Sequence, residues 1–511
     1  NAPGKRFSFL FKMDNLKSRD ATKSEIRTFF DGTNVFLTGG TGAVGQVLLE
    51  KLLRSCPISN VFLLVREKKN KSPETRIDEL FNMPLFDRLK VVQPNFIRKI
   101  TLVIGDCEKP DLGLSEEDKA LLVARVDVVI HCAATVNFIE PLRRTTFINV
   151  RSTRDLLLLA RRMNGLKVFV YVSSAFSNCN RNYIDEIIYE NHIQGDTLIE
   201  MAENMTDSAM DSITNKLLKN WPNTYTLSKC IAENIVQQYG SGMPICITRP
   251  GIVVSTYDDP VLGWVNNFVG VNGLTLGAGL GAIRVVLANN IKLAVVPSDR
   301  VANAIISSAW HTGVVGTTNS IPVFNYVCVN MAPRVRLSYL LDTIINTVIK
   351  KKLFSKNQIW YPGIIYTSSK PIYNVLFFLL HYLPAILADI FLRLTNNKIS
   401  AVRIYKKVYK LQNVLSPFTL IEYKFNDQNV MDLISRQTDC DKSLFNMNLA
   451  DLNWEAYCES CIRGCFKYIL LESEMPKLDI WKRVFLLHYG FIAIMAVIIF
   501  YTFILVLNFI F

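Results

Sequence analysis

The 511-residue sequence has five histidines and only one Cys-x-x-Cys pair. That pair, within Cys458-x-x-Cys461-x-x-x-Cys465, has no second pair and no nearby histidine to complete a zinc site. Its i, i+3, i+7 spacing suits one packed helix face instead, so no metal is expected. The other cysteines are scattered, which fits reduced, buried thiols in a cytosolic-facing protein. The visible N-terminus has no apolar stretch of secretory type; residues 1–32 read as a polar, basic arm ending in the entry turn Phe29-Phe30-Asp31-Gly32. Charged residues make up 20% and hydrophobic ones 50%, which excludes a disordered chain. No nucleic-acid module is present. The net charge of +13 and pI near 9.1 then point to a phosphate-rich ligand or an anionic membrane face.

What is present is organised around Thr38-Gly39-Gly40-Thr41-Gly42-Ala43-Val44-Gly45. An apolar run, Asn34-Val35-Phe36-Leu37, precedes it, and Gln46 to Leu53 follows with apolar residues at helical spacing. In a strand–loop–helix unit the glycines let the backbone turn tightly and approach a pyrophosphate, which the helix N-terminus then attracts. The spacing Gly39-x-x-Gly42-x-x-Gly45 is that of extended short-chain dehydrogenase/reductases. Thr38, Gly39, Thr41, Gly42, Ala43, Val44 and Gly45 are therefore the candidate cofactor cradle.

Further apolar runs, at residues 60–65, 102–106, 126–131, 168–172 and 244–248, alternate with helical segments. This predicts an α/β fold with a doubly wound parallel Rossmann sheet. Ligands in such sheets bind beyond the carboxyl ends of the strands. Arg66 ends the second run, where an arginine accommodates a 2′-phosphate, so NADPH is the expected cofactor. Asp106, at the tip of the third run, is a candidate for the adenine amino group or a turn former. Ala133 and Ala134 follow the fourth, small enough to let the backbone pass beside a cofactor. His131 reads as a packed histidine. The fifth run ends in Ser173-Ser174-Ala175. Pro250 and Ile252, beyond the sixth, are expected to bracket the nicotinamide, and residues 258–283 to border a substrate entrance.

Tyr225-Thr226-Leu227-Ser228-Lys229 begins a helical stretch, with Tyr225 and Lys229 one turn apart. A reductase must supply a proton to the oxygen of the carbonyl it reduces. A lysine cation beside a tyrosine favours the phenolate and lowers its pKa. Ser174 would donate to the developing oxyanion, with Ser173 as the fallback. Tyr225, Lys229 and Ser174 are the candidate catalytic residues, and Lys229 would also hold the nicotinamide ribose.

The chain resembles the alcohol-forming fatty acyl-CoA reductases, the insect members above all. The likeness covers nearly the whole chain and rests on residues 48–57, 63–66, 72–74 and 84–89, on Ala133-Ala134-Thr135-Val136, and on Tyr225 to Lys229. Ala43, Gln46, Asn137, Ser152 and Ser174 depart from the residues usual in that family; Ser174 keeps the hydroxyl of the more frequent threonine. The resemblance implies reduction of long-chain acyl-CoA through an aldehyde to the primary alcohol, with two NADPH consumed. It also implies a reductase domain at 33–319, a linker at 320–365 and a smaller, mostly helical domain at 366–475. Three other readings stand beside it: a reductase that stops at the aldehyde, whose motifs would be identical; a sterol-type dehydrogenase, against which the C-terminal domain argues; and a non-catalytic acyl-CoA binder, against which the intact Tyr225, Lys229 and Ser174 argue.

Residues 484–511 contain no Asp, Glu, Lys or Arg and exceed the length needed to cross a bilayer. Lys477, Lys482 and Arg483 precede them, which predicts a transmembrane tail anchor with the catalytic part facing the cytosol, on reticulum or peroxisome. The apolar stretch Val375 to Ala385, broken by His381 and Pro384, is expected to form a tunnel wall or an interfacial contact.

Overall fold

The computed structural model describes residues 23–510, apart from 69, 269, 318–319, 328–334, 357, 359, 395–399 and 473–477. Residues 1–22 of the expected arm lie outside the described residues.

Seven parallel strands form one sheet: β1 Asn34–Thr38, β2 Asn60–Val65, β3 Ile100–Ile104, β4 Val128–His131, β5 Val168–Val172, β6 Ile245–Pro250 and β7 Val323–Tyr326. Their spatial order is β7-β6-β5-β4-β1-β2-β3. Val35 lies opposite Val61 on one side and Val128 on the other. The runs are almost continuously apolar because helices cover both faces. Alternate residues serve opposite cores. Val35, Leu37, Val61, Leu63 and Val170 pack toward the helices Ala43–Ser55 and Ser298–Val315. Phe36, Phe62, Val129, Phe169 and Tyr171 pack toward Ser152–Ala160 and Thr224–Gly240. The strand order reverses between β1 and β4, which opens a crevice at their carboxyl ends.

Three features depart from the sequence reading. Arg249 and Pro250 belong to β6 rather than to a loop after it. The edge strand β7 comes from the stretch read as linker, beyond residue 319. Four residues carry little periodic signal; their strand is held by distant partners, with Asn325 bonded to Glu186 and Asn426, and the Tyr326 hydroxyl donating to the Met447 carbonyl. Residues Glu25–Phe30, read as part of the arm, form a helix capped by Ser24. The Ser24 hydroxyl donates to Asp441, and Ile26 and Phe30 are fully buried, so this end is clamped by a residue more than 400 positions away.

The C-terminal part is mostly helical and is joined to earlier segments by short parallel pairings. Ile365–Thr367 pairs with Val285–Leu287, and Lys424–Phe425 with Tyr183–Ile184. The helices Val271–Gly279, Leu337–Lys350 and Trp454–Gly464 share an apolar cluster that takes in Cys458 and Cys465, in keeping with a packed cysteine stripe. The run Lys370–Leu394 is helical throughout, with a π-helical turn at Phe378–Tyr382, and is long and apolar enough to cross a membrane. The tail forms a single helix, Leu478–Ile510.

Candidate active site

At the carboxyl end of β1 the glycine loop lies directly against β4. Gly39 has φ +75°, and a Cβ there would sit 2.5 Å from the Ala133 nitrogen. A Cβ on Gly45 would sit 2.1 Å from the Gly39 carbonyl oxygen. Only glycine lets the loop close this tightly and leave the first turn of the helix Ala43–Ser55 facing the crevice. Gly42 caps that helix and brings no side chain to its N–H groups, so its amides and positive dipole end are available to an anion.

The crevice holds a cavity of about 340 Å³. Its lining includes Gly39, Gly42, Ala43, Val44 and Gly45 of the glycine loop and helix start, Ala134, Pro250 and Ile252, and the side chains expected to do chemistry, Ser174, Tyr225 and Lys229. The far wall is apolar and includes Val271, Leu274, Leu337, Leu415 and Phe418, all from the second half of the chain. The Phe138 ring packs against both Tyr225 and Phe418, with centroids 5.5 Å and 5.6 Å away.

Asn223 starts the Tyr225 helix by accepting from the Thr226 backbone N–H. Burial pushes the Tyr225 phenol up to about 12, opposed by a hydrogen bond with Ser174. Burial pulls Lys229 down to about 8. The expected effect of Lys229 on Tyr225 is not what sets the phenol's acidity here. The Lys229 ammonium donates to the Val172 carbonyl at 2.7 Å and to the Tyr171 hydroxyl at 3.2 Å. Glu233, one turn further along, pairs with Arg249 and acts on the lysine as a nearby charge that partly offsets the effect of burial. The two serines separate clearly. Both line the cavity, but the Ser173 hydroxyl is spent on Glu233 at 2.5 Å, whereas Ser174 meets Tyr225.

The remaining sequence-predicted residues lie outside the lining of this cavity. Thr38 is fully buried; its hydroxyl lies 2.7 Å from the ring of His131 and accepts from the Ala133 N–H, so it braces the strand ends. His131 is likewise buried, and burial pulls it down to about 3, which keeps it neutral. Ala133 packs beneath Gly39. Arg66 and Asp106 pair at 3.2 Å at the open end of β2 and β3, with Thr41 close by. Asp106 also accepts from the Glu108 N–H, as a turn former does.

One residue in this group was not singled out from the sequence. Arg76, on the helix Pro73–Phe81, donates to the Thr41 hydroxyl at 3.0 Å and to the Arg66 carbonyl. It brings a second guanidinium beside Arg66, close enough that burial and the Arg66 charge lower its own pKa. Within a charged insertion an arginine ten positions after Arg66 gives no signal of this. The C-terminal wall residues were equally invisible, since Leu415 and Phe418 are ordinary apolar positions of a helix.

Comparison with known proteins agrees with this architecture. An NAD-binding family model described as male sterility protein matches residues 37–305, and a second model of the same description matches 380–472. Fatty acyl-CoA reductase wat of Drosophila melanogaster is 35% identical over 478 residues, covering 92% of this chain and 91% of the relative. Fatty acyl-CoA reductase 1 of Homo sapiens is 37% identical over 485 residues, covering 94% and 93%. Among solved structures, the reductase domain of a nonribosomal peptide synthetase from Mycobacterium tuberculosis superposes with TM-score 0.57 at 16% identity, covering 88% of this chain and 96% of that one. The terminal R domain of the myxalamid pathway superposes with TM-score 0.55 at 18% identity, covering 88% and 93%, and supports the fold. With a family model over more than half its length and relatives above a third identical over more than nine-tenths of it, the chain belongs to the fatty acyl-CoA reductase family.

Proposed function

We propose that this protein reduces long-chain fatty acyl-CoA to the primary alcohol and coenzyme A, using two NADPH. The carrying observation is that Ser174 and Tyr225 share one cavity with the glycine cradle and with the apolar residues Val271, Leu274, Leu415 and Phe418. The cradle fits a dinucleotide: Gly39 and Gly45 leave no room for a side chain, and the helix start beside them is open. Arg66, and Arg76 which bonds to its carbonyl and to the Thr41 hydroxyl, favour a 2′-phosphate and hence NADPH over NADH.

When bound, the nicotinamide supplies the hydride. The chain's own residues do the rest. Ser174 and Tyr225 donate hydrogen bonds to the thioester oxygen as charge develops on it. A phenol held near 12 stays protonated at neutral pH, the form a reduction needs, and Tyr225 gives its proton to that oxygen. Lys229, held near 8, is close enough to neutrality to exchange protons with solvent. The hemithioacetal so formed on the substrate expels the coenzyme A thiol. The acyl chain of the aldehyde stays among Val271, Leu274, Leu415 and Phe418, an apolar wall that disfavours water, and the aldehyde undergoes the second reduction at the same hydroxyls.

The tail helix Leu478–Ile510 serves as a transmembrane anchor, with the catalytic part on the cytosolic face of the reticulum or peroxisome. The division into a reductase domain over 33–319, a linker over 320–365 and a C-terminal domain over 366–475 is proposed with one change: β7, within the linker, completes the reductase sheet. Product analysis tests the whole reading. Detergent-solubilised protein given medium- to very-long-chain acyl-CoA is expected to consume two NADPH per alcohol. One NADPH per accumulated aldehyde would limit the enzyme to the first step, and no turnover with NADPH bound would refute the reading.

A further inference from the structure

The helical run Lys370–Leu394 has two unlike faces. Its inner face is built into the protein. Tyr373 and Phe377 are buried, Phe377 stacks on His381, and His381 accepts the backbone N–H of Arg284. Its outer face exposes Ile372, Val375, Leu379, Ile386, Ile390 and Leu394, which recur at intervals of three, four or seven residues and so form one stripe along the helix. A contiguous apolar stripe of this size on a protein surface marks an interaction site.

The next helix, Ala401–Leu420, decides what that site meets. It runs back alongside the first: Tyr405 packs on Phe377 and His381, and Tyr409 packs on Tyr373 and Phe377. Asp389 accepts from Ser400 and from the Ala401 N–H, which pins the two helices where they join. Along its own outer side, Arg403, Lys406, Lys407 and Lys410 are exposed, again at intervals of three or four. An apolar stripe flanked by a stripe of cations is complementary to an anionic bilayer surface, in which the apolar side chains enter the acyl boundary and the cations meet headgroup phosphates. The same pairing argues against a transmembrane course for Lys370–Leu394. A spanning helix would draw the attached Arg403, Lys406 and Lys407 into hydrocarbon.

We infer that the helical pair Lys370–Leu394 and Ala401–Leu420 is a docking surface that lies on anionic lipid, separate from the tail anchor. The tail starts nearby: Trp360 stacks on the Arg284 guanidinium and packs against His488 of the tail helix, and Arg284 contacts His381. Both membrane contacts therefore emerge from one side of the molecule. The helix Ala401–Leu420 joins this surface to the chemistry, because its cations lie outside while its Leu415 and Phe418 line the active-site cavity. In that geometry an acyl chain dissolved in the bilayer has a short path along one helix to the reacting centre.

Hydrogen exchange on the full-length protein tests this. In phosphatidylcholine vesicles containing phosphatidylserine, amides of 372–394 and 401–410 are expected to exchange several-fold more slowly than in phosphatidylcholine alone. The variant Arg403→Glu, Lys406→Glu, Lys407→Glu should lose that difference while the tail stays inserted. Ile386→Asn with Ile390→Asn, both at exposed positions, should lose it by the apolar route. Protection independent of lipid charge and retained in the charge variant would mean a span or a contact with a second copy, and would overturn the proposal. Exchange unchanged by any lipid would overturn it as well. An activity arm rests on the acyl-CoA reading: the charge variant should show a several-fold higher KM for vesicle-borne long-chain substrate and an unchanged KM for a medium-chain, water-soluble one. Loss of turnover on both substrates would count against that reading alone, since exchange is measured without turnover.

Discussion

Ser174 and Tyr225 share a hydrogen bond in a cavity whose burial holds the phenol near 12. Tyr225→Phe is expected to lower kcat on the order of 10²–10⁴-fold while NADPH binding, followed by fluorescence, is retained. Lys229 loses its charge as pH rises through about 8, whereas Tyr225 remains protonated well above that. If the cation supports catalysis, kcat/KM should be level below pH 8 and fall above it, and Lys229→Met should abolish that alkaline limb in the residual activity. A pH profile with no break near 8 would remove Lys229 from this role. Arg76→Ala should raise KM for NADPH about 10- to 100-fold, the worth of a charge-assisted hydrogen bond of about 1.5–3 kcal/mol, and leave KM for NADH nearly unchanged. Thr38, a candidate for the cofactor cradle, directs its hydroxyl to His131 and the Ala133 N–H.

Secondary elements carry the site because two of them are locked from behind. The helix Thr224–Gly240 holds Tyr225 and Lys229 on its cavity side, and Glu233 pairs with Arg249 of β6 at 2.7 Å, both almost wholly buried. Glu233 also accepts from Ser173, Ser177 and Asn178, so one carboxylate ties this helix to the loop that carries Ser174. Arg249→Met would leave that carboxylate buried without its cation and should cost about 3–5 kcal/mol, seen as a large drop in Tm. The glycine loop is the second locked element. Gly45→Ala, whose Cβ would meet the Gly39 carbonyl, should cost about 1–3 kcal/mol and abolish the rise in Tm that NADPH otherwise gives.

The molecule as a whole builds the apolar part of the cavity. Leu337, Leu415 and Phe418 are far from the glycine loop in sequence and stand in the same cavity. Leu415→Trp is therefore expected to shift the alcohol product profile toward shorter chains with little change in KM for NADPH, measured by chromatography over an acyl-CoA series. The sheet, too, is closed only at this scale, since β7 comes from beyond residue 319 and is held by Glu186, Asn426 and Met447.

The sequence alone determined the parallel sheet, the glycine loop, the Tyr225–Lys229 turn, the family and the apolar tail. These are written in local patterns: buried strands as apolar runs, tight turns as glycines, a helix face as an i, i+4 pair. Only the tertiary structure decided which serine faces the phenol, where the Lys229 ammonium goes, that Arg76 joins Arg66, and that the Glu25–Phe30 helix is clamped by Asp441. It likewise decided that a helix near residue 415 walls a site begun at residue 39. Each of these depends on desolvation and on partners tens to hundreds of residues away, and neither burial nor a distant partner leaves a mark on the local run of residue types.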